Sequence, residues 1–197
     1  MTVILADNAL TTIERARRFL GDEDASDESI AFAINSASAA IATYTQRSFQ
    51  KARRIQMLEG DAVYGKVVCE EWPIREVHSI NGREVSRSMF IDSEKGIIHF
   101  RSAVKGILEY TAGYTLPKDA TEEEPRDLPY DLERACLITA HNLYIEEGLG
   151  YVGGFDSLDL GDFKVKSGSP NKSGGLDAAV IPDEALAILR DYKKWHL

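Results

Sequence analysis

The sequence predicts an α+β fold, mainly an α-helical bundle of about four helices with an inserted antiparallel β-rich region and an extended β-arm. Apolar residues recur at helical spacing near both ends of the chain and again from about 129 to 147. Between them the pattern changes to short β-branched runs separated by turn residues. The 197 residues fit one domain. Within this single domain, 1–197, we expect a β-rich insert at 51–115, a flexible β-arm at 155–176 and a C-terminal helix at 183–197.

Two helices are predicted first along the chain. Thr11-x-x-Glu14 has the spacing of a capping box, and Gly21 follows the apolar positions where a helix would end. A second helix is expected from about Asp27 to Gln46 with its N-cap at Ser26 or Asp27. It has no charge for 17 residues after its first turn, from Ile30 to Gln46. We therefore expect this helix to be covered on two sides, by its own fold or by a neighbouring subunit.

Six short strands are expected in the β-rich insert. Asn81-Gly82 is the strongest hairpin signal, and Asp92 to Gly96 indicates a second turn. Pro73 favours an extended conformation at Trp72. The candidate strands are Ile55–Glu59, Val63–Cys69, Ile74–Ile80, Glu84–Ile91, Gly96–Phe100 and Gly106–Thr111.

The C-terminal half begins with an acidic segment, Lys118 to Asp127, which we expect to be a mobile solvated loop. A third helix is predicted from Pro129 to about Glu147, and glycines follow it. The arm alternates Leu158, Leu160, Phe163 and Val165 with polar residues. The last helix is expected after Pro182, with acidic residues at its start and lysines at its end.

Composition bounds the possible functions. The net charge of −9 argues against tight wrapping of DNA, which requires a basic face, but is compatible with a surface past which DNA slides. The two cysteines, Cys69 and Cys136, show no metal-ligand spacing and indicate a reducing compartment. The first residues do not form a signal peptide, and no stretch is long and apolar enough for a membrane span.

No motif predicts catalysis. Phosphate-binding loops, nucleophile elbows and zinc-protease signatures are missing from the sequence. Gly148-x-Gly150-x-x-Gly153 follows a helix, whereas the dinucleotide fingerprint follows a strand. The four histidines are scattered, and the acidic residues lie in runs that are typical of solvated loops. We expect no enzyme activity, no cofactor and no metal site.

Basic residues have two interpretations. Those of the first helix and of the segment Arg47 to Arg54 either balance acidic neighbours at a solvated surface or pair with acidic faces of adjacent subunits. Lys164, Lys166 and Lys172 lie in a stretch without acidic residues, which is either a solvated loop or an arm that contacts DNA or an acidic partner.

The order of these elements resembles that of the head–tail connector (adaptor) proteins of long-tailed phages, a group of head-completion proteins. The resemblance covers nearly the whole chain, although each motif alone is weak and the strand insert makes this chain larger than the smallest members. The motifs are Leu10 to Gly21, Ile41-x-x-Tyr44-x-x-Arg47-x-Phe49, Trp72-Pro73-Ile74-x-x-Val77, Tyr110-Thr111-Ala112-Gly113-Tyr114, Leu160 to Val165 and Leu189-x-x-Tyr192-Lys193-Lys194.

The resemblance implies a dodecameric ring beneath the portal protein that extends the DNA channel and receives a stopper or tail-completion protein. It places the protein in the virion neck, and in the host cytoplasm during assembly, with no membrane and no sequence-specific DNA contact. It assigns portal binding to the C-terminal helix, at Arg190, Tyr192, Lys193, Lys194 and Trp195. Alternatively, Tyr192 and Trp195 close the core of their own subunit.

The β-arm is expected to add to a strand of a neighbour or partner, through Leu158, Leu160, Phe163, Lys164, Val165 and Lys166. The residues expected where subunits meet are Arg15, Arg18, Phe32, Arg47, Arg53, Arg54 and Tyr144. Two other functions stay open: another neck component, such as a stopper or tail-completion protein, and a nucleic-acid-binding module that uses the basic clusters.

Overall fold

A computed structural model of the chain describes residues 4–58, 65–85, 89–101, 104–148, 158–160, 163–165 and 180–194. These residues form four α-helices and antiparallel sheets, so the predicted α+β class is confirmed. The strands from 52 to 112 interrupt the helices in sequence, within the range expected for the β-rich insert.

The first two helices begin and end at capping residues. Helix α1 spans Ile13–Leu20 and ends at Gly21, whose φ of 69° is left-handed, as expected. Its N-cap is Thr12 rather than the predicted Thr11, because the Thr11 hydroxyl donates to the carboxylate of Glu133 instead. Helix α2 spans Asp27–Thr45 and is capped at its N-terminus by Ser26.

Helix α3 spans Tyr130–Gly148 and helix α4 spans Asp183–Leu189. A 3₁₀ turn, Arg190–Tyr192, follows α4, and Lys193 is extended, so the regular helix is shorter than the predicted segment 183–197. Helices α2, α3 and α4 enclose the main helical core, and α1 packs on α2 over a smaller cluster. The buried residues of the main core include Ala33, Ala37, Ile41, Leu132, Ala135, Cys136, Ala185 and Leu189.

The described residues of the β-rich insert form seven strands in two antiparallel sheets. The larger sheet has the order β1-β7-β3-β4 and the smaller has the order β2-β6-β5. The strands are β1 Ala52–Leu58, β2 Lys66–Val68, β3 Ile74–Ile80, β4 Arg83–Glu84, β5 Met89–Asp92, β6 Ile97–Phe100 and β7 Gly106–Ala112. The prediction of one strand from Glu84 to Ile91 was wrong, because β4 pairs with β3 whereas β5 pairs with β6 of the other sheet.

Both predicted turns are confirmed. Asn81 and Gly82 have φ of 51° and 71° and connect β3 to β4. Asp92 pairs with Ile97 across the second turn. The inner faces of the two sheets share one apolar core, so the insert is a two-layer sandwich; its buried residues are Leu58, Val67, Cys69, Ile74, Ile98, Leu108, Tyr110 and Ala112.

Gly113 lies where the chain leaves β7, and a side chain there is expected to destabilise the fold. Its φ is 107°, and an added Cβ would lie 2.5 Å from the carbonyl oxygen of Gln50. Gly113→Ala therefore combines a backbone cost of about 1–2 kcal/mol with a steric cost of about 1–3 kcal/mol. Gly82→Ala is the matched control, since its φ is 71° and nothing lies within 4 Å of the added Cβ. Urea unfolding should show a larger loss for G113A than for G82A; equal losses would contradict the steric argument.

The acidic segment 118–127 is anchored, in contrast to the mobile loop that we expected. Glu124 accepts from Lys51 Nζ at 2.6 Å and from Thr115 Oγ1 at 2.7 Å. Those contacts hold the pKa of Glu124 below its usual range, with the Lys51 bond as the first cause. Asp127 accepts from the Thr115 N–H and pairs with Arg75 of β3. The segment thus fastens the sandwich to the helical core.

Two short antiparallel strands lie within the predicted arm. Strand β8 spans Leu158–Leu160 and pairs with β9, Phe163–Val165. The other positions of the 155–176 range, Lys166 among them, lie outside the described residues.

Candidate assembly site

The C-terminal segment after α4 lies against the end of α2. The N–H of Lys194 donates to the carbonyl oxygen of Thr45 at 2.9 Å. Tyr192 donates from its hydroxyl to Asp131 Oδ1 at 2.7 Å, and its ring meets that of Phe49 edge to face. These contacts hold the segment on its own subunit, at the point where the helical core meets the sandwich.

Arg47 is the centre of this junction. It lies two residues after the end of α2, and only 3% of the residue is exposed. Its guanidinium carbon lies 3.3 Å from the ring centroid of Trp72, and its Nη1 donates to the carbonyl oxygen of Tyr192 at 3.3 Å. The Nε atom lies 3.8 Å from Glu71 Oε2. Burial lowers the pKa of Arg47 to about 10, although the nearby carboxylate of Glu71 opposes that shift.

The junction unites motifs that are far apart in sequence. Arg47 and Phe49 come from the end of α2, Trp72 from the segment before β3, and Tyr192 from the 3₁₀ turn. Each of these residues belongs to a different motif of the connector resemblance, apart from Arg47 and Phe49, which share one. Three weak motifs of the sequence are thus parts of one packed cluster.

The five predicted portal-binding residues have different environments. Tyr192 is half-buried in its own subunit, as the alternative interpretation held for it. Lys194 Nζ lies 3.3 Å from Glu70 Oε2, and Lys193 Nζ lies 4.1 Å from the ring centroid of Tyr44. Arg190 is exposed, and Trp195 lies outside the described residues.

The basic residues expected between subunits mostly contact their own chain. Arg47 is interior and not at a surface, because Trp72 and Glu71 compensate its burial. Arg15 pairs with Glu133 at 2.8 Å and Arg53 with Glu109 at 2.5 Å. The remaining members are Arg54, which donates to Ser48 Oγ and the Gln50 carbonyl oxygen, and Arg18, which is exposed.

Of the two aromatic residues expected between subunits, Tyr144 contacts its own chain and Phe32 is exposed. Tyr144 donates to Asp22 Oδ2 at 2.8 Å and packs beside the helical cores. Phe32 is 60% exposed and lies on α2 with two other exposed positions of one face, Ala39 and Thr43. One stripe of α2 is therefore uncharged and open to solvent, whereas the opposite side is buried.

Sequence reasoning missed an exposed apolar patch on the sandwich. Ile55 and Met57 of β1 are 72% and 61% exposed, and Ile107 of β7 is 40% exposed. Apolar residues on both faces of β1 indicate that one apolar face is left exposed, but the sequence does not tell which face the fold covers.

Neither a metal centre nor a membrane span is found in the described part of the chain. Within residues 4–58, 65–85, 89–101 and the later described ranges, no three metal-ligating side chains cluster. None of the helices that the structure describes is long and apolar enough to cross a membrane.

Comparison with solved structures identifies a similar architecture. The chain matches one from the neck of an empty gene transfer agent (GTA) particle, computed with C6 symmetry, with a TM-score of 0.57. The fold is shared with that chain of the GTA neck. The likeness covers 100% of this chain and 96% of the other at 13% sequence identity, so it is a likeness of fold. No protein-family model and no curated protein sequence matches the chain.

Proposed function

We propose that this chain is a structural subunit of the neck of a tailed phage or a phage-like particle. The observation that carries the proposal is the shared fold with the GTA neck chain, over 100% of this chain and 96% of the other. The junction around Arg47 also supports it, because three of the motifs on which the connector resemblance rests meet there. The proposed role is assembly rather than catalysis.

Within the neck, we propose the adaptor position: a ring of twelve copies beneath the portal protein that continues the DNA channel. A twelvefold ring is compatible with the sixfold symmetry used for the GTA neck, since six divides twelve. The exposed uncharged stripe around Phe32 is a candidate contact between copies. The net charge of −9 supports a channel past which DNA moves without binding.

Portal docking is proposed for the C-terminal end of the chain. Arg190 and Lys193 are exposed there, while Tyr192 and Lys194 fix the segment on the subunit. The subunit would therefore present a positioned segment to its partner, which reduces the entropy that binding has to offset. The hairpin β8–β9 is the proposed contact for the next neck or tail protein.

A nucleic-acid-binding module is less consistent with the observed contacts. Arg15, Arg53 and Lys51 each form an ion pair with a carboxylate of their own chain, and Arg47 is buried. Side chains that are neutralised in this way contribute little to phosphate binding.

The proposal is tested with the purified chain, alone and co-expressed with the portal protein of the same particle. Negative-stain electron microscopy and native mass spectrometry should show closed rings, of twelve subunits if the adaptor position is right. Rings of another size would exclude the twelvefold adaptor position and leave the wider neck proposal standing. A chain that stays monomeric under both conditions, or that binds duplex DNA at physiological salt, would overturn the neck proposal.

A further inference from the structure

Helix α2 leaves a large apolar side chain in solvent near its start. Phe32 is 60% exposed, whereas its neighbours Ala31 and Ala33 are buried. Ile4, which is 76% exposed, lies close to the same side of the helix, since its carbonyl oxygen accepts from the Asn35 amide at 3.4 Å, one turn after Phe32. We call Phe32 and Ile4 the Phe32 face. Clustered apolar exposure of this kind is typical of a surface that another protein covers.

The residues around the Phe32 face are mainly acidic. The segment 4–12, the loop 21–26 and α2 contain no lysine or arginine. Their exposed carboxylates are those of Asp7, Glu23, Asp24, Asp27 and Glu28. Helix α1 packs on α2 and adds Arg17, which pairs with Asp27, and the exposed Arg18. Glu28 precedes Phe32 by one helical turn, so a carboxylate borders the apolar face directly.

The outer face of the smaller sheet combines one aromatic side chain with basic ones. Phe90 is 67% exposed, and its ring centroid lies 5.7 Å from that of His99. The register places Lys66, His99 and Phe90 side by side across β2, β6 and β5. Arg101 follows β6 directly, and all four residues are exposed. We call them the Phe90 row, a basic surface with one apolar anchor.

The Phe90 row lies at the end of its sheet that points away from the junction. The turn between β5 and β6 is the end near Trp72, because an added Cβ at Gly96 would lie 3.0 Å from Trp72 Cβ. The described carboxylates of the smaller sheet, Asp92 and Glu94, lie at this turn rather than in the row. Asp92 pairs there with Lys95 at 3.1 Å. The charge of the row is therefore basic, opposite in sign to the border of the Phe32 face.

The Phe32 face and the Phe90 row lie on opposite sides of the junction. Phe32 is about 20 Å along α2 from Thr45, where the helix ends and the junction begins. Cyclic symmetry above twofold joins the front of one subunit to the back of the next, whereas a twofold dimer uses one surface twice. An acidic and a basic surface, each with an exposed aromatic side chain and separated in this way, match the first arrangement.

We propose that neighbouring copies of this chain contact each other front to back, the Phe32 face of one copy against the Phe90 row of the next. Phe32 and Phe90 are the apolar anchors, and Lys66 and Arg101 meet the carboxylates around Glu28. This inference rests on the proposed ring and names the surfaces of its subunit interface.

Charge reversal tests the pairing, because two variants that cannot assemble alone should assemble together. Glu28→Lys puts two lysines at each contact and Lys66→Glu puts two glutamates there. Either variant alone should give about tenfold fewer rings than the wild type, since like charges weaken association. In an equal mixture each contact joins a lysine to a glutamate, so the ring yield should return. With one variant isotopically labelled, native mass spectrometry should show equal numbers of both variants in each ring.

Two controls accompany the charge variants. Glu14→Lys makes the same charge change in the first turn of α1, away from the Phe32 face, and should leave the ring yield unchanged. Phe32→Ala and Phe90→Ala should each lower the ring yield, whereas Ile55→Ala, at a residue that is 72% exposed on β1, should not. The unfolding midpoint of every variant should stay close to that of the wild type, because all these side chains are exposed.

The outcomes separate this inference from the neck proposal. Wild-type ring yield in either charge variant alone, or no recovery in their mixture, would overturn the inference and leave the neck proposal standing. Loss of rings in Ile55→Ala but not in Phe32→Ala would do the same. Failure of the wild-type chain to form rings would overturn the neck proposal and this inference with it.

Discussion

Replacing Glu133 with alanine is expected to destabilise the subunit by about 3–5 kcal/mol, because it removes one partner of a buried ionic cluster. The Glu133 side chain is only 3% exposed. It contacts Arg15 Nη1 at 2.8 Å, Arg126 Nη1 at 2.9 Å and the Thr11 hydroxyl at 3.0 Å. Glu133 of α3 thereby joins Thr11 before α1, Arg15 of α1 and Arg126 of the segment before α3. Its loss leaves the Arg126 guanidinium, whose side chain is 15% exposed, without its carboxylate.

Urea unfolding followed by circular dichroism measures this effect. Glu133→Gln is the conservative variant, since it keeps an acceptor for Thr11 and removes the charge, and it should lie between wild type and E133A. Arg134→Ala breaks a neighbouring pair with Glu184 whose side chains are 63% and 62% exposed, and it should cost about 0–1 kcal/mol. If E133A and R134A lose similar stability, the cluster around Glu133 is not a main support of the helical core.

Local signals predicted the helices and turns well because a cap or a tight turn is decided by residues close in sequence. Gly21 ends α1 and Asn81-Gly82 forms the hairpin, since few other residues adopt a positive φ at little cost. The N-cap of α1 is one residue later than the capping-box pattern predicted, and the reason lies in another part of the chain. Thr11 is 122 residues from Glu133, and no local pattern indicates that its hydroxyl is used there.

The partners of Arg47 and the faces of β1 could not be read from the sequence. A basic residue at a helix end is usually solvated, and only the packing of Trp72 and Tyr192 turns Arg47 inwards. In β1 the alternation of apolar and polar residues predicts that Ile55 and Met57 are buried. The structure instead turns Arg54 and Gln56 towards the interior. Hydrogen bonds of Gln56 to Val68 of β2 and to Glu70 just after it decide that orientation, and they depend on register between distant strands.

Arg47→Met should destabilise the subunit by about 3–5 kcal/mol and loosen the C-terminal segment, although the substitution keeps most of the side-chain volume. Glu71 would lose the guanidinium 3.8 Å away, while its side chain stays 14% exposed. Tyr192 would also lose a hydrogen bond to its carbonyl oxygen. Hydrogen exchange at the Lys194 amide, which donates to Thr45, should therefore accelerate along with the loss in urea unfolding.

The pH dependence of the stability lost in Arg47→Met shows whether the unpaired charge of Glu71 causes that loss. Burial raises the pKa of Glu71 above its usual range, and Arg47 is one of the groups that oppose the shift, so its removal raises that pKa further. A carboxyl with a raised folded pKa costs stability as the pH rises from the unfolded value through the folded one. The deficit of R47M should thus be largest near neutral pH and should shrink as the pH falls to the ordinary glutamate pKa of about 4.3 and below it, because Glu71 is then protonated in both states.

The double variant Arg47→Met/Glu71→Gln separates charge from packing. The glutamine keeps an oxygen for the Ser48 N–H, which Glu71 accepts at 3.2 Å in the wild type, and it has no charge to leave unpaired. We expect it to recover most of the stability that R47M loses and to remove the pH dependence, because a buried ion pair can often be replaced by neutral groups of similar volume. Recovery of stability without renewed protection of the Lys194 amide would show that the guanidinium itself, through Trp72 and Tyr192, fixes the C-terminal segment. A double variant no more stable than R47M would instead attribute the whole effect to lost packing on Trp72.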